Sequence, residues 1–152
     1  MLYRGMDRAQ LDAAYNNSAA VPAVDAIRAD WDALSARVRQ RQRSHLDLAY
    51  GGTPRQRLDL FLADSPRAPT LMFIHGGYWQ MNDKERFTFL VEGPLARGIN
   101  VAVVEYTLAP EARMEQIVTR SAVRSPGSVN IWATTAPIRS VSTSPVTPPA
   151  VT

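Results

Sequence analysis

From position 22 to 43 apolar residues recur at every third or fourth place. Val24, Ile27, Trp31, Leu34 and Val38 form one stripe, which predicts a helix with a single buried face. Pro22 suits its first helical position, and Asp25 falls in the first turn, where the helix dipole favours an anion. The run "RVRQRQR" (37–43) closes the helix with positive charge, which reads as a solvated helix end rather than a nucleic-acid patch. Trp31 reads as a packing residue rather than a ligand-stacking one. A shorter helix is predicted over 7–15.

The period then drops to two. "HLDLAY" (45–50) and "QRLDLFLA" (56–63) alternate apolar and polar residues around "GGTPR", which predicts a β-hairpin or two adjacent antiparallel strands. "TLMFI" (70–74) does not alternate and is predicted to be a strand buried on both faces. Asn82 followed by Glu85 suggests a capping box opening a helix over about 83–97, with Gly98 as its stop. "NVAVVEY" (100–106) is a second buried strand, "TLAPE" interrupts it, and a short helix is expected from near Glu111. Strand, helix, strand at this spacing is a parallel βαβ unit, so the fold class is α/β.

After about Thr119 no period remains. Residues 120–152 hold no Asp or Glu and 5 of the 11 prolines, the composition of an unstructured Ser/Thr/Pro tail. The expected organisation is a helical arm (1–43), an α/β part (44–119) and that tail (120–152).

Composition changes the picture little. A chain of 152 residues with 45% hydrophobic and 20% charged residues is long enough for one soluble domain. No apolar run approaches a membrane span, and "MLYRGMDRAQLDAAY" lacks the apolar core of a secretory signal. The lack of cysteine excludes disulfides and thiolate metal sites and fits a cytoplasmic protein. A pI near 9.7 invites a nucleic-acid reading. However, residues 1–119 carry 14 acidic and 14 basic residues, so the +3 excess rests on Arg120, Arg124 and Arg139 alone. Three scattered arginines do not track a phosphate backbone.

The candidate chemistry lies in "FIHGGYWQ" (73–80). Glycines directly after a buried strand let the backbone approach a ligand and aim N–H groups at it. Aimed at a developing oxyanion, such donors are worth roughly 3–4 kcal/mol each. The same residues also suit a plain tight turn with His75 as a satisfied core histidine, and spacing alone leaves both readings open.

"LDAAYNNSAAVP" (11–22), "RLDLFLA" (57–63), "FIHGGYWQMNDK" (73–84) and "VAVVEYTLAPE" (101–111), in that order, resemble the α/β-hydrolase serine hydrolases of the arylformamidase-like and esterase/lipase group. "HGGYW" is the specific element, a variant of the HGGG oxyanion motif. The resemblance implies the N-terminal half of an α/β-hydrolase fold, with a mixed sheet and the helical arm as a cap over the site. It implies backbone donors at Gly76, Gly77 and Tyr78, a loop-bracing His75, and Tyr78 and Trp79 as pocket walls. The implied substrate is a small ester or amide, with no cofactor, metal, nucleic acid or membrane partner.

One departure is decisive. Such enzymes need Ser in G-x-S-x-G, then an acid and a His, all after the oxyanion loop. No G-x-S-x-G occurs here, the only histidines are His45 and His75, and Ser128 in "PGSVN" lacks both glycines and a base. No catalytic triad is present, so the chain as written is expected to be inactive.

The tail offers a reason. Read one frame over, the codons of "SPVTPPAVT" (144–152) permit Ser-Gly-His-Ser-Ala-Gly-Gly-His, which contains G-H-S-A-G. "WATTAPI" (132–138) and "SVSTS" (140–144) permit a plausible loop and strand start ahead of it. A frameshift near Thr119–Arg120 is therefore expected, in the gene or in its reading. Without the nucleophile strand, "TLMFI" becomes an exposed edge, and residues 1–119 are expected to form a marginal, self-associating half-domain. Two alternatives stand beside this: a non-enzymatic module binding a small ligand at "HGGYW", and an interaction protein whose tail is the working part.

Overall fold

The computed structural model describes residues 2–121 together with 124–125 and 129–130. Its elements are α1 (Arg8–Tyr15), α2 (Val24–Arg41), β1 (Ser44–Ala49), β2 (Arg57–Phe61), β3 (Thr70–Ile74), a 3₁₀ helix (Glu85–Val91) continuing into α3 (Glu92–Leu95), β4 (Asn100–Val104), α4 (Met114–Ser121), β5 (Arg124–Ser125) and β6 (Val129–Asn130).

β1, β2, β4 and β3 form one mixed sheet in that order. The period-two segments pair antiparallel as expected, with an irregularity between His45 and Leu48. β2 then runs antiparallel to β4, whereas β3 and β4 are parallel from Thr70↔Asn100 to Ile74↔Val104. The βαβ unit inferred from the sequence is therefore present, and its crossover lies on the same side as α2. On that side Val38 of α2, Phe61, Val91, Val101 and Val103 form one core cluster. On the other side Leu58, Ala102 and Val104 form a second. Burying Phe61 completely contributes about 1.5–3 kcal/mol to this packing.

Several local expectations are corrected. α2 starts at Val24, with Ala23 in a left-handed conformation at the cap, so Pro22 precedes the helix rather than opening it. The capping box belongs to α1, where Asp7 and Gln10 bond each other's backbone amides. At the second site Asp83 accepts the Arg86 amide instead, and the segment after it is largely 3₁₀ rather than one α-helix over 83–97. Asn82 does not cap it: its Nδ2 donates to the Gly76 carbonyl and its Oδ1 accepts from the Arg86 guanidinium. Gly98 does stop the crossover, at φ +74°. The last helix begins at Met114 rather than Glu111, behind a turn that follows the cis Ala109–Pro110 peptide.

β3 is not buried on both faces. It is an edge strand among the described residues, and Leu71 is 48% exposed. The expected unstructured tail and the shifted-frame elbow lie outside the described residues. Within 120–152 only the end of α4 and the two-rung β5–β6 pairing are described.

Candidate active site

β3 delivers its last residue, Ile74, to a sharply turned loop. Gly77 has φ +131°, and Tyr78, Trp79 and Asn82 follow at +52°, +62° and +78°. For residues with side chains this conformation costs on the order of 1–3 kcal/mol each, and such strain clusters at functional sites. The amides of Gln80 and Met81 both donate to the Gly77 carbonyl and close the turn.

The two glycines differ. A Cβ on Gly77 would lie 2.3 Å from the Met81 carbonyl oxygen, so glycine is required there by packing. A Cβ on Gly76 would meet nothing within 4 Å. Among the described residues, none accepts a hydrogen bond from the N–H groups of Gly76, Gly77 or Tyr78.

Beneath the loop lies a buried polar bracket. The His75 ring stacks on Tyr106 at 4.4 Å and faces Phe87 at 5.9 Å. Its Nδ1 lies 2.9 Å from the Gly76 carbonyl oxygen and its Nε2 3.1 Å from Glu105 Oε1. Both ring nitrogens are thus engaged, and His75 is 2% exposed, as suits a brace rather than a base. Asn82 Nδ2 donates to the same Gly76 carbonyl at 3.0 Å, which orients that peptide. Tyr106 Oη donates to the His75 carbonyl at 3.0 Å.

Glu105, at the end of β4, holds the bracket together. Oε1 also accepts from Arg55 Nη2 at 2.7 Å and from the Tyr106 amide at 2.9 Å, while Oε2 accepts from the Lys84 amide at 3.1 Å. Burial alone would raise its pKa. The hydrogen bonds from His75 and Tyr106 and the Arg55 charge outweigh burial and hold the carboxyl below its ordinary range. The neighbouring Tyr50 hydroxyl is pushed up to about 12, first by burial and then by the Glu105 charge. Lys84 is buried too, and its ammonium meets Asp47 at 2.7 Å, Asp59 at 3.1 Å and Glu85, while Arg39 of α2 also pairs with Asp59. Burial works against the Lys84 charge, but the hydrogen bonds it donates to Asp47 and Glu85 and the Asp59 charge raise its pKa overall.

Above the loop, the arm and the loop enclose a cavity of about 520 Å³. Val24, Ile27 and Trp31 of α2 face Tyr78, Met81 and Phe87 across it, and Gly77 lies at its edge. Tyr78 is tied to the arm by Asn17 Nδ2, which donates to its hydroxyl at 3.1 Å. Trp79 does not line this cavity and packs against Tyr106 at 5.7 Å.

The chain is 32% identical to kynurenine formamidase of Danio rerio over 126 residues, which is 78% of this chain and 43% of that protein. It is 42% identical to the Drosophila melanogaster kynurenine formamidase over 72 residues, 45% of this chain and 24% of the relative. A crystal structure of a Silicibacter sp. TM1040 protein, put forward as a thioesterase, superposes with a TM-score of 0.70 at 34% identity, covering 74% of this chain and 44% of that one. Over the residues it shares with them, the chain is similar in sequence and fold to an N-terminal part of the arylformamidase/esterase-like α/β-hydrolases. No protein-family model matches it. The chain spans less than half the length of these hydrolase relatives.

Sequence reasoning singled out five positions on this hydrolase loop, His75 to Trp79, and the fold brings four of them to the bracket and cavity. It missed Glu105, Arg55, Lys84, Asp59 and Asn82. For Glu105 a signal existed, as the one acid ending an otherwise apolar strand. For Asp59 none did, because its place in an alternating strand reads as solvent-facing while the fold buries it completely.

Proposed function

We propose that this chain carries the oxyanion-stabilising part of a serine hydrolase lineage acting on carboxylic ester or aryl-formamide bonds. The observation that carries the reading is the set of Gly76, Gly77 and Tyr78 amides, without partners among the described residues, at the C-terminal end of the parallel strand β3, over a buried bracket. Attack by a nucleophile on an acyl carbon moves charge to the carbonyl oxygen, and amides fixed in advance stabilise that charge without reorganising. The formamidase name of the Danio and Drosophila relatives supports an amide of formic acid as one substrate class. The lack of cysteine fits a cytoplasmic setting.

Within these 152 residues no nucleophile, acid and base follow the loop, and the chain as written is expected to lack turnover. We take residues from about 120 onward to be read from a shifted frame that encodes G-H-S-A-G. Resequencing the DNA from codon 110 past the stop tests this. A single-base correction that opens a frame with a later Asp and His supports it, and the absence of such a frame refutes it.

Titrating methylphosphonate, a tetrahedral anion, into ¹⁵N-labelled protein tests the loop itself. Saturable shifts of the Gly76, Gly77 and Tyr78 amides are expected, and no shift there sinks the oxyanion assignment. Hydrolysis of an activated aryl ester by the purified chain, abolished by Gly77→Pro, overturns the inactivity. A non-enzymatic binding module is the second reading, favoured by the missing triad, and it requires saturable small-ligand binding with no hydrolase frame downstream.

A further inference from the structure

The Gly76 carbonyl and the Gly77 amide are two ends of one peptide plane. Among the described residues Ala109–Pro110 is the one cis bond, so this peptide is trans and its C=O and N–H point in opposite directions. Whatever fixes the carbonyl therefore aims the amide. Two side chains converge on that oxygen, His75 Nδ1 at 2.9 Å and Asn82 Nδ2 at 3.0 Å, and since a carbonyl only accepts, both donate. A carbonyl that accepts two bonds also makes the N–H of its own peptide a stronger donor. His75 belongs to the buried bracket. Asn82 lies outside it, at φ +78°, and its side chain is set from elsewhere.

That setting comes from the arm. Asp32 and Ser35 share one face of α2 at i, i+3 spacing. Ser35, 2% exposed, donates to the Arg86 carbonyl at 2.8 Å and accepts from the Phe89 amide at 3.0 Å. Asp32 takes the Arg86 guanidinium through two bonds of 2.9 and 3.1 Å. With its backbone and its side chain both held by α2, Arg86 reaches Asn82 Oδ1 with its remaining nitrogen at 3.4 Å. The two neighbours of Asn82 together choose the amide's orientation. Flipped, it would set oxygen against the Gly76 carbonyl and nitrogen against a guanidinium. A Cβ on Gly77 would lie 2.8 Å from Asn82 Nδ2, so the bare glycine is what admits this amide. Arg55 Nη2 ties the Asn82 carbonyl at 2.7 Å, which anchors the backbone to the bracket while the side chain answers to the arm.

We propose that the helical arm sets the oxyanion donor: Asp32 and Ser35 hold Arg86, Arg86 orients Asn82, and Asn82 fixes the Gly76–Gly77 peptide with its N–H turned outward. Asp32, Arg86 and Asn82 are positioning residues that act through this peptide. The proposal rests on the oxyanion reading of the loop for its purpose, whereas the line of contacts is testable by itself.

The test compares the full chain with Asn82→Gly and Asp32→Ala, each labelled with ¹⁵N and ¹³C and titrated with methylphosphonate. Asn82→Gly keeps the positive φ at no steric cost and removes both side-chain bonds. It is expected to move the Gly77 ¹⁵N and Gly76 carbonyl ¹³C resonances upfield and to weaken methylphosphonate about three- to tenfold. Asp32→Ala, at a half-exposed position on α2, is expected to move the same two resonances the same way by less, and to weaken the anion about twofold. By charge alone, deleting a carboxylate and freeing Arg86 would tighten an anion, so the sign separates positioning from plain electrostatics. Unchanged or tighter methylphosphonate binding in Asp32→Ala overturns the proposal, and so do Gly76 and Gly77 resonances that stay in place in Asn82→Gly. A wild type that binds no methylphosphonate defeats the oxyanion reading instead, and the same resonances in the two variants then decide the line of contacts. Should Asn82→Gly fail to fold, the wild type decides: no nuclear Overhauser contact between the Asn82 side-chain amide and Gly77 also overturns the proposal.

Discussion

Gly76 and Gly77 are neighbours with opposite steric demands. Gly77→Ala adds both a clash with the Met81 carbonyl and a side chain at φ +131°, and is expected to cost about 1–3 kcal/mol in urea denaturation. Gly76→Ala points into open space and should stay within about 1 kcal/mol of wild type, while weakening methylphosphonate binding. A loop that is merely a turn would lose nothing at the anion in the second variant. Glu105 is the other residue with a sharp prediction. Its folded pKa lies below the ordinary 4.5, so its contribution is complete above that value. As pH falls below 4.5, the unfolded chain takes up the proton first, and the contribution is lost as pH passes through the folded value. Glu105→Gln is expected to lower stability by about 2–4 kcal/mol at neutral pH, Arg55 keeping some contact with water, and to flatten the acid limb of a stability–pH curve. An unchanged acid limb would remove Glu105 from the bracket's electrostatics.

Elements are joined here by charge as well as by apolar packing. Lys84 at the head of the 3₁₀ helix and Arg39 on α2 share the buried Asp59 of β2, so the arm, the crossover and the sheet meet at one ionic cluster. Lys84→Met leaves the buried Asp59 with Arg39 as its one remaining cation among the described residues, and is expected to cost about 1–3 kcal/mol by chemical denaturation. At the sheet edge the balance is different. Leu71 stands on the outer strand, whose free edge has no partner among the described residues, which favours strand-to-strand association. Light scattering across protein concentrations is expected to show association that Leu71→Lys reduces without changing thermal stability. Concentration-independent monomer in the wild type would contradict this.

For the whole molecule, the described core is divided into small clusters on the two faces of a four-stranded sheet, with a third around Tyr106 and Ile117 where α4 packs. Each cluster is small against a backbone ordering cost of about 1–2 kcal/mol per residue. Calorimetry is therefore expected to give a broad, low-temperature transition. A sharp cooperative transition from soluble monomer would refute the marginal half-domain.

The sequence by itself determined the elements and their order. Period 3.6 in α2, period 2 in β1 and β2, and the two apolar runs of the parallel pair are local signals that packing had only to accept. It also named the loop, because glycines after a strand and the "HGGYW" string are contiguous. What it could not reach are relations between distant residues. Glu105 meets His75 across 30 positions and Arg55 across 50, and no periodicity records such a meeting. The fine ends of the crossover also escaped, since Asn82 is both a candidate cap and a donor to Gly76, and only the folded loop chooses between them. The edge position of β3 was legible only through the hydrolase resemblance and the missing nucleophile strand, because sheet order joins segments distant in sequence; the order β1-β2-β4-β3 among the described residues agrees with it.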